Sequence, residues 1–162
     1  MLKNWEAIKA DEKRAKVKDE SQATSILDGV STKAPSLMEA HQISTKVARV
    51  GFDWKNVEEI FTKMHEELDE LREAIKAHAD TNAEEDHAKV REEIGDLLFV
   101  ITNIARRLNV EPEAALKLSN RKFRKRFGFI EKRLREQEIK FDETTIEVLE
   151  ELWQEAKLTG DA

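Results

Sequence analysis

Cysteine and tyrosine are absent from this chain of 162 residues, and glycine and proline occur only 5 and 2 times. Without cysteine there is no disulfide framework, no zinc–thiolate site and no thiol nucleophile. A β-sandwich or a Rossmann-type sheet needs many tight turns, and glycine and proline are the residues that supply them. No apolar run is long enough to cross a bilayer as a helix. What remains is a single domain of long helices with few breaks.

The charges are numerous and mixed in sign, with 28 Lys and Arg against 34 Asp and Glu, which gives a net charge of −6. A chain with this balance is soluble and is not a general binder of polyanions. We therefore expect no nucleic-acid partner and no membrane partner. Residues 1–20 are charged throughout and lack the apolar core of a signal peptide, which predicts a cytoplasmic protein.

The spacing of apolar residues predicts an all-α bundle of four or five helices. We expect an N-terminal arm and loop over residues 1–35, one helical domain over 36–157, and a tail over 158–162. Capping boxes are predicted at Ser36 with Glu39 and at Thr144 with Glu147. The predicted helices run from Ser36 to about Val50, from Asn56 to near His78, from about Glu85 to Leu108, from Pro112 to about Lys140, and from Thr144 through Trp153.

The third predicted helix is apolar nearly all round. Its main stripe is widened by Phe99 and Val100, so few polar positions separate its two sides. A helix of this kind is buried on more than one side. In a domain this small a second subunit is the expected cover, which predicts a homodimer.

Four carboxylates lie where the helical pattern predicts apolar residues. Glu67 and Glu70 lie on and beside the apolar stripe that begins at Ile60, while Glu93 lies inside the stripe of the next helix and Asp96 lies on its border. Buried carboxylates are costly and repel one another, and a divalent cation removes both penalties. The pattern indicates a Mg²⁺ or Mn²⁺ site between two helices. The alternative is a pair of solvated helix faces.

Basic residues accompany these acids. Five of the six positions from 121 to 126 are Lys or Arg, and Lys122 and Arg126 lie one turn apart on the same face. Lys89 lies one turn before Glu93. Cations beside a carboxylate–metal site suit a polyphosphate ligand. A solvated basic face and a nucleic-acid surface are the alternatives, and the negative net charge disfavours the second.

The acidic pattern resembles that of the MazG family of all-α nucleoside triphosphate pyrophosphohydrolases. The residues that carry the resemblance are Glu66-Glu67-Leu68-Asp69-Glu70 and Glu93-Ile94-Gly95-Asp96, together with the segments 4–9, 25–29, 49–54, 92–99, 119–127 and 152–153. Well-known MazG proteins carry two such domains in tandem, and this chain resembles the second. The resemblance implies an intertwined helical dimer that converts a nucleoside triphosphate and water into a nucleoside monophosphate and diphosphate.

The resemblance also implies roles for individual residues. The metal ligands would be Glu67, Glu70, Glu93 and Asp96, holding Mg²⁺ or alternatively Mn²⁺. The catalytic group would be Glu66, Glu67 and Lys89, with Glu66 assisting the attacking water. The substrate would be held by Lys63, Lys89, Lys122 and Arg126, with Trp153 near the nucleotide.

Two other functions compete with hydrolysis. One is a non-catalytic dimeric bundle that binds nucleotides or alarmones as a sensor. The other is a nucleic-acid-binding helical protein that uses residues 121–126. Neither function requires the four acids, so we favour the hydrolase. The preferred base and sugar, and whether this chain stands alone or is one half of a tandem protein, are not determined by the sequence.

Overall fold

The computed structural model describes residues 25–159, and within that range it contains α-helices and one 3₁₀ turn but no β-strand. The all-α prediction is confirmed. The polar arm expected over residues 4–20 lies outside the described residues, as do the last three positions of the predicted tail. The helices are α1 (Ser36–Ala48), α2 (Val57–Thr81), α3 (Glu84–Arg107), α4 (Pro112–Glu136) and α5 (Ile146–Leu158), with the 3₁₀ turn at Phe141–Glu143.

Two helix starts are as predicted. The Asn56 side chain accepts a hydrogen bond from the Glu59 backbone N–H at 3.0 Å and caps α2. Pro112 is the first residue of α4, where its missing N–H costs nothing. The Glu111 side chain accepts from the N–H groups of Glu113 and Ala114 and completes that cap.

The two predicted capping boxes are wrong. Glu39 N–H donates to the Pro35 carbonyl at 3.0 Å, so Pro35 is the N-cap and Ser36 is already helical. In the 3₁₀ turn before α5, the Thr144 N–H donates to the Phe141 carbonyl at 3.4 Å. The helix therefore starts after Thr145.

Two helix ends also differ from the prediction. The second helix continues past His78 to Thr81 and ends where Asn82 adopts a left-handed φ of 52°. The fourth helix stops at Glu136 rather than near Lys140, because Glu138 has a left-handed φ of 56°. A boundary set by one left-handed residue is not visible in a pattern of apolar residues.

The helices pack in two groups. Helices α2 and α3 form a long antiparallel hairpin joined by two residues, 82 and 83, and α1 packs against α3. Helix α4 packs mainly against α5 and touches α1 and α3 more lightly. The first group surrounds a partly polar interior, whereas the second encloses an apolar cluster of Ile130, Leu134 and Leu152.

The outer side of α3 carries an exposed apolar stripe. Its four residues follow helical spacing and are each 45% to 59% exposed in the single chain: Ile94, Leu98, Ile101 and Leu108. The predicted second apolar side of α3 is thus present, and in the single chain it is exposed to solvent. No helix within residues 25–159 is long and apolar enough to cross a membrane.

Candidate active site

Three carboxylates from two helices meet at the centre of the α2–α3 hairpin. Glu67 on α2 and Glu93 and Asp96 on α3 each offer an oxygen, and these oxygens lie within 4.8 Å of one another. Glu67 is 4% exposed and Glu93 is 2% exposed, whereas Asp96 faces solvent. We call these three residues the acidic cluster. Two ionisable groups buried side by side are costly unless a cation or a proton compensates them.

A lysine on each helix pairs with the buried acid of that helix. Lys63 Nζ lies 2.8 Å from Glu67 and 2.9 Å from Glu66. Lys89 Nζ lies 2.7 Å from Glu93 and 3.1 Å from Glu92. The two helices thus repeat one pattern, Lys-x-x-Glu-Glu-x-x-acid. Lys63 and Lys89 were each expected to hold the substrate, whereas no role was predicted for Glu92.

The ionisation of the site reflects this crowding. Burial, together with the charges of Glu67 and Glu93, raises the pKa of Asp96 above its usual value. The same two causes raise the pKa of Glu70. Hydrogen bonds to Glu67 and then Glu66 raise the pKa of Lys63, and Lys89 is affected in the same way by Glu93 and Glu92. The carboxyl groups of Asp96 and Glu70 therefore hold protons more readily than isolated carboxyl groups, and the two lysines stay charged.

The cluster has the donors that a hard divalent cation requires. Glu67 Oε2 is buried and has no hydrogen-bond partner among residues 25–159, although an unsatisfied buried carboxylate oxygen is costly. Mg²⁺ and Mn²⁺ prefer carboxylate oxygens and retain water and phosphate oxygens in the rest of their shell. The residues therefore fit a divalent cation. Glu70, predicted as a fourth ligand, lies one turn beyond Glu67 and outside the group of three.

A cavity of about 560 Å³ opens beside the acidic cluster. It lies between α1, α2, α3 and the loop that joins α1 to α2, and its walls are mostly apolar. Its volume is within the range of sites that hold small molecules. The lining residues are Ile43, Ser44, Val47, Gly51, Phe52, Asp53, Trp54, Lys63, Glu67, Asp96, Phe99, Val100 and Asn103.

A second recess of about 360 Å³ lies on the other side of the cluster, lined by Glu70, Glu73, Ala74, Ala77, Lys89 and Glu93. Four of these six lining residues carry a charge, in contrast to the mostly apolar lining of the cavity. Glu93 and Lys89 border the recess, while Glu67, Asp96 and Lys63 border the cavity. The acidic cluster therefore lies between an apolar compartment and a charged one.

An ion pair anchors the loop that walls the cavity. Both Asp53 carboxylate oxygens accept hydrogen bonds from Arg106 at the end of α3. The Arg106 guanidinium holds the pKa of Asp53 below its usual value. This pair was not predicted from the sequence, because its members lie 53 positions apart and no helical periodicity links them.

The remaining predicted residues lie in the α4–α5 group. The Arg126 guanidinium is 5.5 Å from the centre of the Trp153 ring. Phe123 packs against the same Trp153 ring, with 5.1 Å between the two ring centroids. Lys122 is exposed. Within the described part of the chain, no hydrogen bond, ion pair or shared cavity joins Lys122, Arg126 or Trp153 to the acidic cluster.

An all-α fold with carboxylates paired across a helical hairpin defines a class of helical proteins with a candidate divalent-metal site. Residues 55–127 match the model of the MazG nucleotide pyrophosphohydrolase domain. This matched segment contains the acidic cluster and both lysines, so this part of the chain is similar to the MazG domain.

Individual relatives extend the similarity beyond that segment. The chain is 39% identical over 155 residues to a protein of Thermotoga maritima named nucleoside triphosphate pyrophosphohydrolase/pyrophosphatase MazG. It is 36% identical over 157 residues to the nucleoside triphosphate pyrophosphohydrolase of Escherichia coli strain K12. These alignments cover 96% and 97% of this chain but 54% and 56% of the relatives. The chain thus spans about half the length of these curated relatives.

A third relative matches a shorter segment. The chain is 41% identical over 70 residues to an uncharacterised protein of Bacillus subtilis named YabN. That alignment covers 43% of this chain and 14% of the relative.

Proposed function

We propose that this chain is a Mg²⁺-dependent nucleoside triphosphate pyrophosphohydrolase, which converts a nucleoside triphosphate and water into a nucleoside monophosphate and diphosphate. One observation carries the proposal: two buried carboxylates converge with a third between an apolar cavity and a charged recess. A stable fold has no need of this costly arrangement, whereas a polyphosphate-binding metal site does.

The acids supply the metal ligands in this proposal. Glu67, Glu93 and Asp96 hold the ion, and Glu70 adds a ligand from the next turn of α2. Bound Mg²⁺, or Mn²⁺ in its place, lowers the pKa of a water and offsets the charge of phosphate oxygens. The unpartnered Glu67 Oε2 supports this assignment.

The two compartments suggest how the substrate lies. The nucleoside occupies the apolar cavity, where Trp54 and Phe99 offer aromatic surface. The α-phosphate lies at the acidic cluster, and the two outer phosphates extend toward the recess where Lys89 is located. This orientation places the bond between the α- and β-phosphates beside the acids.

The chemical step is an in-line displacement at the α-phosphorus. A water oxygen forms the new bond to phosphorus while the bridging oxygen to the β-phosphate leaves with diphosphate. Glu66 is exposed and paired with Lys63 at 2.9 Å, so it is placed to accept the proton from the water. Lys63 and Lys89 offset the negative charge that develops on the phosphates.

The proposal includes a homodimer. The exposed stripe of α3, from Ile94 to Leu108, is the surface that a second copy covers.

The proposal also includes three residues of α4 and α5. Lys122 and Arg126 bind the triphosphate and Trp153 lies near the nucleotide, as the family resemblance implies. These three residues lie outside the contacts of the acidic cluster in the single chain, so their assignment rests on the resemblance.

The test is product analysis with isotope-labelled water. The protein is incubated with each ribo- and deoxyribonucleoside triphosphate in H₂¹⁸O, with Mg²⁺ or with EDTA, and the products are identified by mass spectrometry. We expect monophosphate plus diphosphate, with the label in the monophosphate and no reaction in EDTA. Label in the diphosphate would place the attack at the β-phosphorus. Nucleotide binding without turnover would favour a sensor.

A further inference from the structure

The wall of the cavity is tied to helix α3 by a partly buried ion pair. Asp53 and Arg106 form a two-pronged contact, with Arg106 Nη1 donating to Asp53 Oδ2 at 3.1 Å and Nη2 donating to Oδ1. Their side chains are 20% and 12% exposed. Arg107 adds a weaker contact to Asp53 at 3.6 Å. A paired fork of this kind fixes direction as well as distance, which a single point charge does not.

Each member of the pair also orients a residue that lines the cavity. Asp53 Oδ1 accepts a hydrogen bond from the Trp54 backbone N–H at 2.9 Å, which fixes the backbone where the aromatic wall begins. Arg106 Nη2 donates to Asn103 Oδ1 at 3.3 Å, and Asn103 Nδ2 donates to the Phe99 carbonyl at 3.1 Å. The amide of Asn103 is therefore held at both ends.

Asn103 contributes a buried amide group to this wall. It is 6% exposed and lies in a cavity whose lining is mostly apolar. An amide group offers two N–H donors and an acceptor oxygen, and only one donor is used by Phe99. One buried polar group of fixed orientation in an apolar pocket is the usual means by which such a pocket selects a ligand.

We propose that Arg106 is a positioning residue for nucleoside recognition: through Asp53 it holds the Trp54 wall, and through Asn103 it orients a polar group toward the base. This inference rests on the proposed function, because it requires a nucleoside in the cavity. It goes beyond that function in assigning recognition of the base to a network outside the acidic cluster. Because the wall is ordered before the ligand binds, less binding free energy is lost to ordering it.

A second ion pair supplies a matched control. Arg133 on α4 donates to Glu155 on α5 at 2.9 Å, which also joins two separate elements of the fold. Neither residue lines the cavity or the recess. Arg133→Gln therefore removes an ion pair between two elements, a more exposed one, without touching the pocket, and it shows what the loss of such a pair does to stability alone.

The experiment compares two kinds of ligand in wild type, Arg106→Gln, Arg106→Lys, Asp53→Asn, the double variant Asp53→Asn/Arg106→Gln and Arg133→Gln. Steady-state kinetics with a nucleoside triphosphate give KM and kcat, and the inhibition constant of diphosphate reports the acidic side of the site without a base. Calorimetric binding of α,β-methylene nucleoside triphosphates repeats the comparison without turnover. Thermal unfolding verifies that each variant is folded.

We expect Arg106→Gln to raise KM and the dissociation constant of the methylene analogue by about tenfold, with kcat changed less than about twofold. The inhibition constant of diphosphate stays the same. Arg106→Lys behaves like Arg106→Gln because it keeps the charge but loses the fork. The double variant is no weaker than the single variants, since they break one interaction. Arg133→Gln leaves KM unchanged.

Other outcomes would overturn the inference. An unchanged KM in folded Arg106→Gln would show that the pair has no part in recognition. Equal losses for nucleotide and diphosphate would mean that the variants disturb the acidic cluster. If wild type binds the analogue but hydrolyses nothing, catalysis as proposed fails, while the binding comparison still decides the role of Arg106. If wild type binds no nucleotide, both proposals fail.

Discussion

The α2–α3 hairpin buries polar as well as apolar side chains, whereas the α4–α5 pair buries apolar ones. In the hairpin the buried residues include Glu67, Glu93 and Asn103, whereas the α4–α5 pair encloses Leu134 and its apolar neighbours. Apolar burial favours folding, and buried charge opposes it. The comparison indicates that the α4–α5 region stabilises the fold and that the polar interior of the hairpin is retained for chemistry.

The sharpest way to separate the two regions is to remove one buried charge. We expect Glu67→Gln to lower the rate of nucleotide hydrolysis by about a thousandfold or more, because a neutral amide is a poor ligand for a hard cation. The helical content of the protein stays that of wild type. Product formation and far-UV circular dichroism measure the two effects.

Asp69→Asn is the matched control for that variant. Asp69 lies on the same helix and loses the same charge, but it is exposed and pairs with Arg72 at 2.6 Å. We expect its activity to stay near that of wild type. Equal losses in Glu67→Gln and Asp69→Asn would mean that the net charge of α2, rather than the acidic cluster, supports catalysis.

The opposite change tests the apolar region. Leu134→Ala should lower the free energy of unfolding by about 2–5 kcal/mol, since Leu134 is 1% exposed and its loss leaves a cavity. The rate per folded molecule stays the same. Urea denaturation followed by circular dichroism gives the stability change.

Leu158→Ala is the matched control, because it removes an exposed leucine instead of a buried one. Leu158 is 86% exposed, so we expect its unfolding free energy to change by less than about 0.5 kcal/mol. Similar losses at both positions would contradict the view that the α4–α5 cluster is the stabilising core.

The exposed stripe of α3 tests how the polar hairpin is covered. We expect Leu98→Glu to convert a dimer into a monomer, because a charge at the centre of an apolar interface is left without a partner. Sedimentation velocity measures the mass. A wild-type protein that already sediments as a monomer would remove the homodimer from the proposal.

The smallest expected effect is the pH dependence of Asp96. Its pKa is raised above 3.8 by burial and by Glu67 and Glu93, so the folded state binds the proton more tightly than the unfolded state. The ionised carboxyl therefore opposes folding above the raised pKa, and this penalty disappears as the pH falls to 3.8. In chelator, Asp96→Asn should be more stable than wild type at neutral pH.

Urea denaturation at a series of pH values measures that difference. We expect the advantage of Asp96→Asn to shrink steadily with falling pH and to vanish near pH 3.8, the usual pKa of the carboxyl. An advantage that does not change with pH would show that the substitution acts through packing rather than through the charge of Asp96.

Much of the fold follows from local pattern. The spacing of apolar residues predicted all five helices, and Asn56 and Pro112 were recognised at the starts of α2 and α4 because capping depends on neighbouring residues. The boxes at Ser36 and Thr144 failed because a backbone turn took the amide groups that the caps needed. Local residues offer a cap, but the path of the chain decides whether it is used.

The candidate site, like the fold, was predictable only in part. Glu67 and Glu93 could be predicted because each breaks the apolar pattern of its own helix. That signal is contained in the consecutive residues of a single helix. The cavity and the Asp53–Arg106 pair had no such signal, since each requires segments about 50 residues apart to meet. Whether Lys122 and Arg126 act at the same site stays a prediction.

The sequence by itself determined the helical class, the two helices with acids on their apolar faces and the resemblance to the MazG family. Periodicity, capping and motif spacing are properties of consecutive residues, so they can be read without a structure. Only the tertiary structure decided that oxygens of Glu67, Glu93 and Asp96 lie within 4.8 Å, and that an apolar cavity and a charged recess flank them. Those distances depend on how α2 packs against α3, and helix packing is fixed by contacts between residues distant in the chain.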